Sequence, residues 1–118
     1  IVSDQHQRFS RKHRLTKPTE FREVFKSTKR SADANFIILC NRNGLDIARL
    51  GTAISKKNVR LATGRSKLKR LIRESFRRQK DFLKGLDLVV ITKKNINIKN
   101  NSIIAASLLK QWQKIKSA

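Results

Sequence analysis

The chain has 118 residues, with 29 Lys or Arg against eight Asp or Glu, and a net charge of +21. Such an excess repels itself in a compact state and calls for an anionic partner, nucleic acid first and an anionic membrane surface second. The single Cys40 excludes an intramolecular disulfide and a multi-cysteine zinc site, and no run of about 18 apolar residues exists to span a bilayer. The Ile1–His6 start has no apolar signal region, so a cytoplasmic protein without a membrane role is expected.

The length suits one domain over residues 1–118. Residues 1–13 are polar and basic, with Phe9 the only large apolar residue after Val2, and read as a loose arm. Pro18 suits the first turn of a helix, with Thr16 or Lys17 as cap. Phe21, Val24 and Phe25 follow at i, i+3, i+4, which predicts a helix over 18–27. The apolar run from Asn35 to Asn41 reads as a strand, and Arg42 to Asp46 supplies turn residues. From Ile47 to Ile54, Ala48, Leu50 and Ile54 alternate with Ile47, Arg49, Gly51 and Ala53. These two strands are predicted to pair as a hairpin.

Ser55 to Ala62 is a basic connection, and Thr63 offers a cap for a second helix over 65–80. At about 100° per residue, Leu68, Leu71, Ile72, Ser75 and Phe76 share one face, opposite Lys69, Arg70, Arg73, Arg77 and Lys80. Leu86 to Thr92 reads as a buried strand and Lys93 to Asn100 as a loop. Asn101 or Ser102 can cap a last helix carrying Ile104, Leu108, Trp112 and Ile115 on its apolar face. The order α-β-β-α-β-α describes a two-layer α/β (α+β) sandwich.

No self-sufficient catalytic constellation is visible. His6 and His13 fall in the arm with no cysteine or carboxylate cluster nearby. The carboxylates are scattered, Glu20 and Glu23 read as ordinary helix-surface charges, and none of the four glycines builds a phosphate loop. The basic residues between Lys56 and Lys80 are different. A solvated helix usually mixes signs for i, i+4 support, and here only Glu74 opposes the stripe. Arginine forks at such density suit phosphate. No helix-turn-helix or zipper pattern points to DNA. Phe21 and Phe25 could offer stacking surfaces to an unpaired strand, although their spacing is also that of a buried face.

Two stretches carry a family resemblance: Arg49 through Ser55-Lys56-Lys57-Asn58-Val59-Arg60, and Arg65-Ser66-Lys67-Leu68-Lys69-Arg70-Leu71-Ile72-Arg73-Glu74. Arg14-Leu15 with Phe21, Val24 and Phe25 precedes them, and Asp87 to Ile91 and Trp112 follow. Together these resemble the protein subunit of bacterial ribonuclease P over residues 9–115. Ser66 and Lys67 stand where that family usually has Asn and Arg. The resemblance implies a left-handed β-α-β crossover around the basic helix. It also implies a ribonucleoprotein endoribonuclease that removes the 5′ leader of precursor tRNA, with catalysis and Mg2+ in the RNA subunit and no cofactor on the protein. By position, Lys56, Lys57, Asn58, Arg60, Arg65, Ser66, Lys67, Lys69, Arg70 and Arg73 are implied to face the catalytic RNA. Phe21, Phe25, Leu39, Arg14, Ala53 and Ser55 are implied to line a leader cleft. The free protein is expected to be monomeric. The alternatives are a ribosomal or other structural RNA-binding protein and a DNA-binding module.

Overall fold

The computed structural model describes residues 11–27 and 29–117. Helices α1 (Pro18–Lys26), α2 (Ala62–Gln79) and α3 (Asn101–Ser117) accompany strands β1 (Arg30–Ala32), β2 (Phe36–Arg42), β3 (Arg49–Ala53) and β4 (Leu86–Thr92). The predicted order holds, with the short β1 added. Three residues of which only Ala32 is apolar give no periodic signal, so β1 is invisible in the sequence.

The strands form one sheet in the order β1-β2-β4-β3. β2 and β4 pair antiparallel over seven residue pairs, and β3 lies parallel to β4. The predicted β2–β3 hairpin is therefore absent, because β4 lies between them. Both β2 and β4 are apolar on two faces and take the interior positions, which leaves β1 and β3 as edges. The connection after β2 spans one intervening strand, roughly 10 Å at usual strand spacing. Asn43 fastens it: its N–H donates to the Gly85 carbonyl, and its Nδ2 donates to the Ile47 carbonyl and to Asp87 Oδ1.

Helices α2 and α3 cover one sheet face and form the second layer of the sandwich. Leu68, Ile72 and Phe76 of α2 meet Ile104, Leu108, Trp112 and Ile115 of α3 over Phe36, Ile38, Leu50, Leu88 and Val90. Phe76 and Trp112 stack edge-to-face with centroids 6.2 Å apart. Trp112 Nε1 donates to Ser75 Oγ at 2.8 Å, so the one hydroxyl on the inner face of α2 satisfies the buried indole. The short α1 lies on the opposite sheet face, where Leu15, Val24, Leu39 and Val89 form a smaller cluster.

Helix ends depart from the sequence reading by small steps. Glu20 is not a plain surface charge: its Oε1 accepts the Thr16 and Lys17 N–H groups and caps α1. α2 starts at Ala62, which leaves Thr63 inside the first turn rather than at the cap. Asn100 rather than Asn101 or Ser102 caps α3, its Oδ1 accepting the Ile103 N–H at 3.2 Å. Lys80, expected on the solvent stripe, is buried just past α2, where desolvation pushes its ammonium pKa down.

Residues 11–13 of the expected arm form a 3-10 turn docked on the edge of β3. Leu15 N–H donates to the Leu50 carbonyl, which covers part of an otherwise open edge. His13 is 6% exposed rather than solvated, and its Nδ1 lies 3.1 Å from the Ala48 carbonyl. His6 and Phe9 fall outside the described residues. Burial lowers the His13 pKa, and Lys80 and Lys12 lower it further against the opposing Ala48 bond and Asp81. Below the ordinary value of about 6.5 the unfolded chain therefore binds more protons than the folded one. Stability is full above that value and falls as pH drops through it. Urea midpoints at pH 7.5 and 5.5 check this: the wild type loses more than His13→Gln, which keeps a donor and does not titrate. Equal losses would exclude His13 as the source.

Candidate nucleic-acid interface

On the α1 side of the sheet, the odd-numbered positions of β2, β3 and β4 form a floor. Ile37, Ala53 and Ile91 are only partly buried there, beside Phe21. Phe25, at the end of α1, is 49% exposed. Leu39 is 7% exposed, so it supports this floor from beneath and offers little surface. Ile37 and Ile91 were not singled out from sequence, because continuous apolar strands conceal which positions stay partly open.

Phe21 lies where it does because position 51 is glycine. A Cβ there would fall 2.5 Å from Phe21 Cε1 and 2.7 Å from Cζ, so the ring sits directly on the β3 backbone. The angle of α1 is set by Arg49. Its Nε and Nη2 donate to the two Asp87 carboxylate oxygens at 2.8 and 2.7 Å, and its Nη1 donates to Glu20 Oε2 at 2.6 Å. One guanidinium thus joins β3, β4 and α1. Hydrogen bonding to Asp87 raises its pKa, so it stays charged.

Apart from Arg73, the residues implied to face the catalytic RNA divide into two groups. Lys56, Lys57, Arg60, Ser66, Lys69 and Arg70 are exposed on the loop after β3 and on α2. Asn58, Arg65 and Lys67 are partly buried; the first two hold that loop in place and Lys67 holds the loop after β4. Asn58 Nδ2 donates to the Thr92 carbonyl at 2.8 Å. Arg65 Nη1 donates to the Val59 and Arg60 carbonyls at 2.9 and 2.8 Å, and Lys67 Nζ donates to the Ile98 carbonyl. Glu74 pairs with Arg77 at 3.1 Å. No carboxylate occurs between Asp46 and Glu74, so the loop after β3 and the first turns of α2 carry charge of one sign.

The two surfaces meet around the edge strand. A pocket of about 120 Å3 is lined by Arg14, Leu15, Thr16, Phe21, Leu50, Gly51, Thr52 and Arg73. It brings Arg73 of α2 and Phe21 of α1 to opposite sides of β3. Ser55 follows at the end of β3, exposed, its Oγ accepting the Asn58 N–H at 3.1 Å. Among the described residues no three His, Cys, Asp or Glu side chains gather as metal ligands, and no helix is long and apolar enough to cross a membrane.

The family model for ribonuclease P matches residues 9–116. A ribonuclease P protein component from Marinobacter nauticus is 40% identical over 109 residues, covering 92% of this chain and 82% of the relative. One from Pseudomonas putida is 42% identical over 110 residues, covering 92% and 83%. Among solved structures, the Staphylococcus aureus ribonuclease P protein superposes with a TM-score of 0.76 at 28% identity, over 92% of this chain and 93% of that one. The Thermotoga maritima protein gives 0.68 at 33% identity, over 85% and 96%. These matches favour the ribonucleoprotein reading over a ribosomal or DNA-binding one. With the model match spanning nearly its whole length, the chain belongs to the ribonuclease P protein family.

Proposed function

We propose that this protein component of ribonuclease P clamps two RNAs at once. The catalytic RNA lies on the exposed face of α2 and the loop before it, and the single-stranded 5′ leader of precursor tRNA lies in the cleft beside α1. The observation that carries this reading is the meeting of the aromatic cleft and the basic face around β3, at the Phe21–Gly51–Arg73 pocket. Lys56, Lys57, Arg60, Lys69 and Arg70 contact phosphates, Arg73 contributes from the seam, and Ser66 adds a short hydroxyl on the same face. Asn58 and Arg65 present the loop before α2, and Lys67 fixes the loop after β4 beside it. Phe21 and Phe25 stack on leader bases, Ile37, Ala53 and Ile91 form the floor over Leu39, and Arg14 and Ser55 flank the strand's path.

The chemistry divides accordingly. Mg2+ in the RNA centre supplies water activation and leaving-group stabilisation. The protein's own part is electrostatic and positional: it places fixed cations between two polyanions and holds the leader in register. Its +21 charge also favours a monomer when free, since two copies repel. Cys40 is buried and burial raises its thiol pKa, which suits an unreactive thiol in the reducing cytoplasm.

Reconstitution with a bacterial ribonuclease P RNA tests the reading. The protein is expected to stimulate leader cleavage at magnesium concentrations where the RNA alone is slow, and to favour precursor over mature tRNA in binding. No stimulation over RNA alone would reject it.

A further inference from the structure

We propose that a second pocket, between the loop before α2 and the loop after β4, receives an unpaired nucleobase of the catalytic RNA. The proposal rests on the reading that α2 faces that RNA. The pocket has a volume of about 510 Å3 and is lined by Asn58, Val59, Arg60, Leu61, Ile96 and Ile98. That lies within the range of small-ligand sites, roughly 300–1,000 Å3.

Its walls are aliphatic where the surrounding surface is cationic. Leu61 is 69% exposed and directly follows Arg60 on the loop that also carries Lys56 and Lys57. With Val59, Ile96 and Ile98 it lines one apolar patch rimmed by cations, and such a patch, unlike a lone exposed leucine, marks a contact surface.

The pocket is also preformed. Arg65 holds the Val59 and Arg60 carbonyls and Lys67 holds the Ile98 carbonyl, so one turn of α2 grips both walls. Gly64 lets the walls close on the helix: a Cβ there would lie 3.0 Å from Ile98 Cδ1 and 3.1 Å from Val59 Cγ1. Such a site does not have to be ordered at the moment of binding.

Charge selects the occupant. Arg60 lines the pocket, and the exposed Lys56 and Lys57 immediately precede its first wall residue. Both walls come from segments without a carboxylate, Ile47 to Arg73 and Leu88 onward. A nucleotide matches this pattern in both parts. Its base has two apolar faces for the aliphatic walls, and its phosphates meet the cationic rim.

The test compares wild type, Leu61→Ser and Lys57→Ala in binding to the catalytic RNA over a salt series, with chemical probing of unpaired bases. Leu61 is exposed, so its substitution leaves the fold intact. Leu61→Ser is expected to weaken binding about tenfold, the size of a lost Leu contact, with an unchanged salt slope. Lys57→Ala lowers the slope instead. The wild type is expected to protect an unpaired base that stays reactive with Leu61→Ser. Wild-type affinity for Leu61→Ser, or weakening with identical base protection, would overturn the pocket proposal and leave the ribonuclease P reading intact. Failure of the wild type to prefer this RNA over ribosomal RNA would instead overturn the reading beneath it.

Discussion

Arg49→Met is expected to lower the unfolding free energy by about 3 kcal/mol, near the lower end for breaking a buried ion pair. The lower end applies because the Arg49 side chain keeps 20% of its exposure. Methionine retains much of the aliphatic stem, so the loss reports the guanidinium. Without it, Asp87 keeps the Asn43 Nδ2 donor but loses both guanidinium bonds, at a side-chain exposure of 8%. Glu20 keeps its bonds to the Thr16 and Lys17 N–H groups, so α1 stays capped but is no longer tied to β3. The functional consequence follows from geometry. Phe21 rests on Gly51 only while α1 is held at its present angle, so leader affinity should fall more than affinity for the catalytic RNA. Urea unfolding and paired binding assays on the variant check both parts. A stability loss below about 1 kcal/mol, the worth of an exposed pair, would show that the Arg49 cluster is an ordinary surface bridge.

The helices were legible because a helix writes its environment at fixed spacing. Leu68, Ile72 and Phe76, and likewise Ile104, Leu108, Trp112 and Ile115, are all buried where periodicity put them. Strand faces were legible for the same reason: Ala48 and Leu50 do face the main core. Strand neighbours were not. Alternation tells which side of a sheet a residue faces and is silent on which strand lies beside it, so β2 and β3 looked like a hairpin until β4 entered between them.

The candidate site shows a similar limit. A stripe of Lys and Arg reads as one surface, yet Arg65 and Lys67 are partly buried and bond backbone carbonyls through Nη1 and Nζ, while Lys69 and Arg70 are exposed. Lys80 and His13 read as solvated and are buried, and Glu20 read as a surface charge and is a cap and an ion-pair partner. For three of these the deciding partner is distant in sequence: Ala48 for His13, Ile98 for Lys67, and Arg49 for the Glu20 ion pair. Type and spacing set what a polar group can bond, and tertiary structure sets what it does bond.

That division of the basic residues predicts the largest functional effect. Replacing Lys57, Lys69 and Arg70 together with Ala should weaken binding to the catalytic RNA about a hundredfold at near-physiological salt. The slope of log affinity against log salt should fall by about 2–3, because three phosphate contacts each release close to one counterion. All three side chains are exposed, so the fold survives. Relief of self-repulsion should raise the melting temperature of the free protein slightly. Arg65→Ala is expected to behave differently. Its Nη1 holds the Val59 and Arg60 carbonyls, so without it the loop loosens, the melting temperature drops and the salt slope changes little. Filter binding over a salt series separates the two outcomes. Parallel lines for the triple variant and wild type would mean that RNA phosphates do not lie on this face. A slope change for Arg65→Ala as large as one exposed lysine's would mean that its guanidinium leaves the loop to grip RNA in the complex.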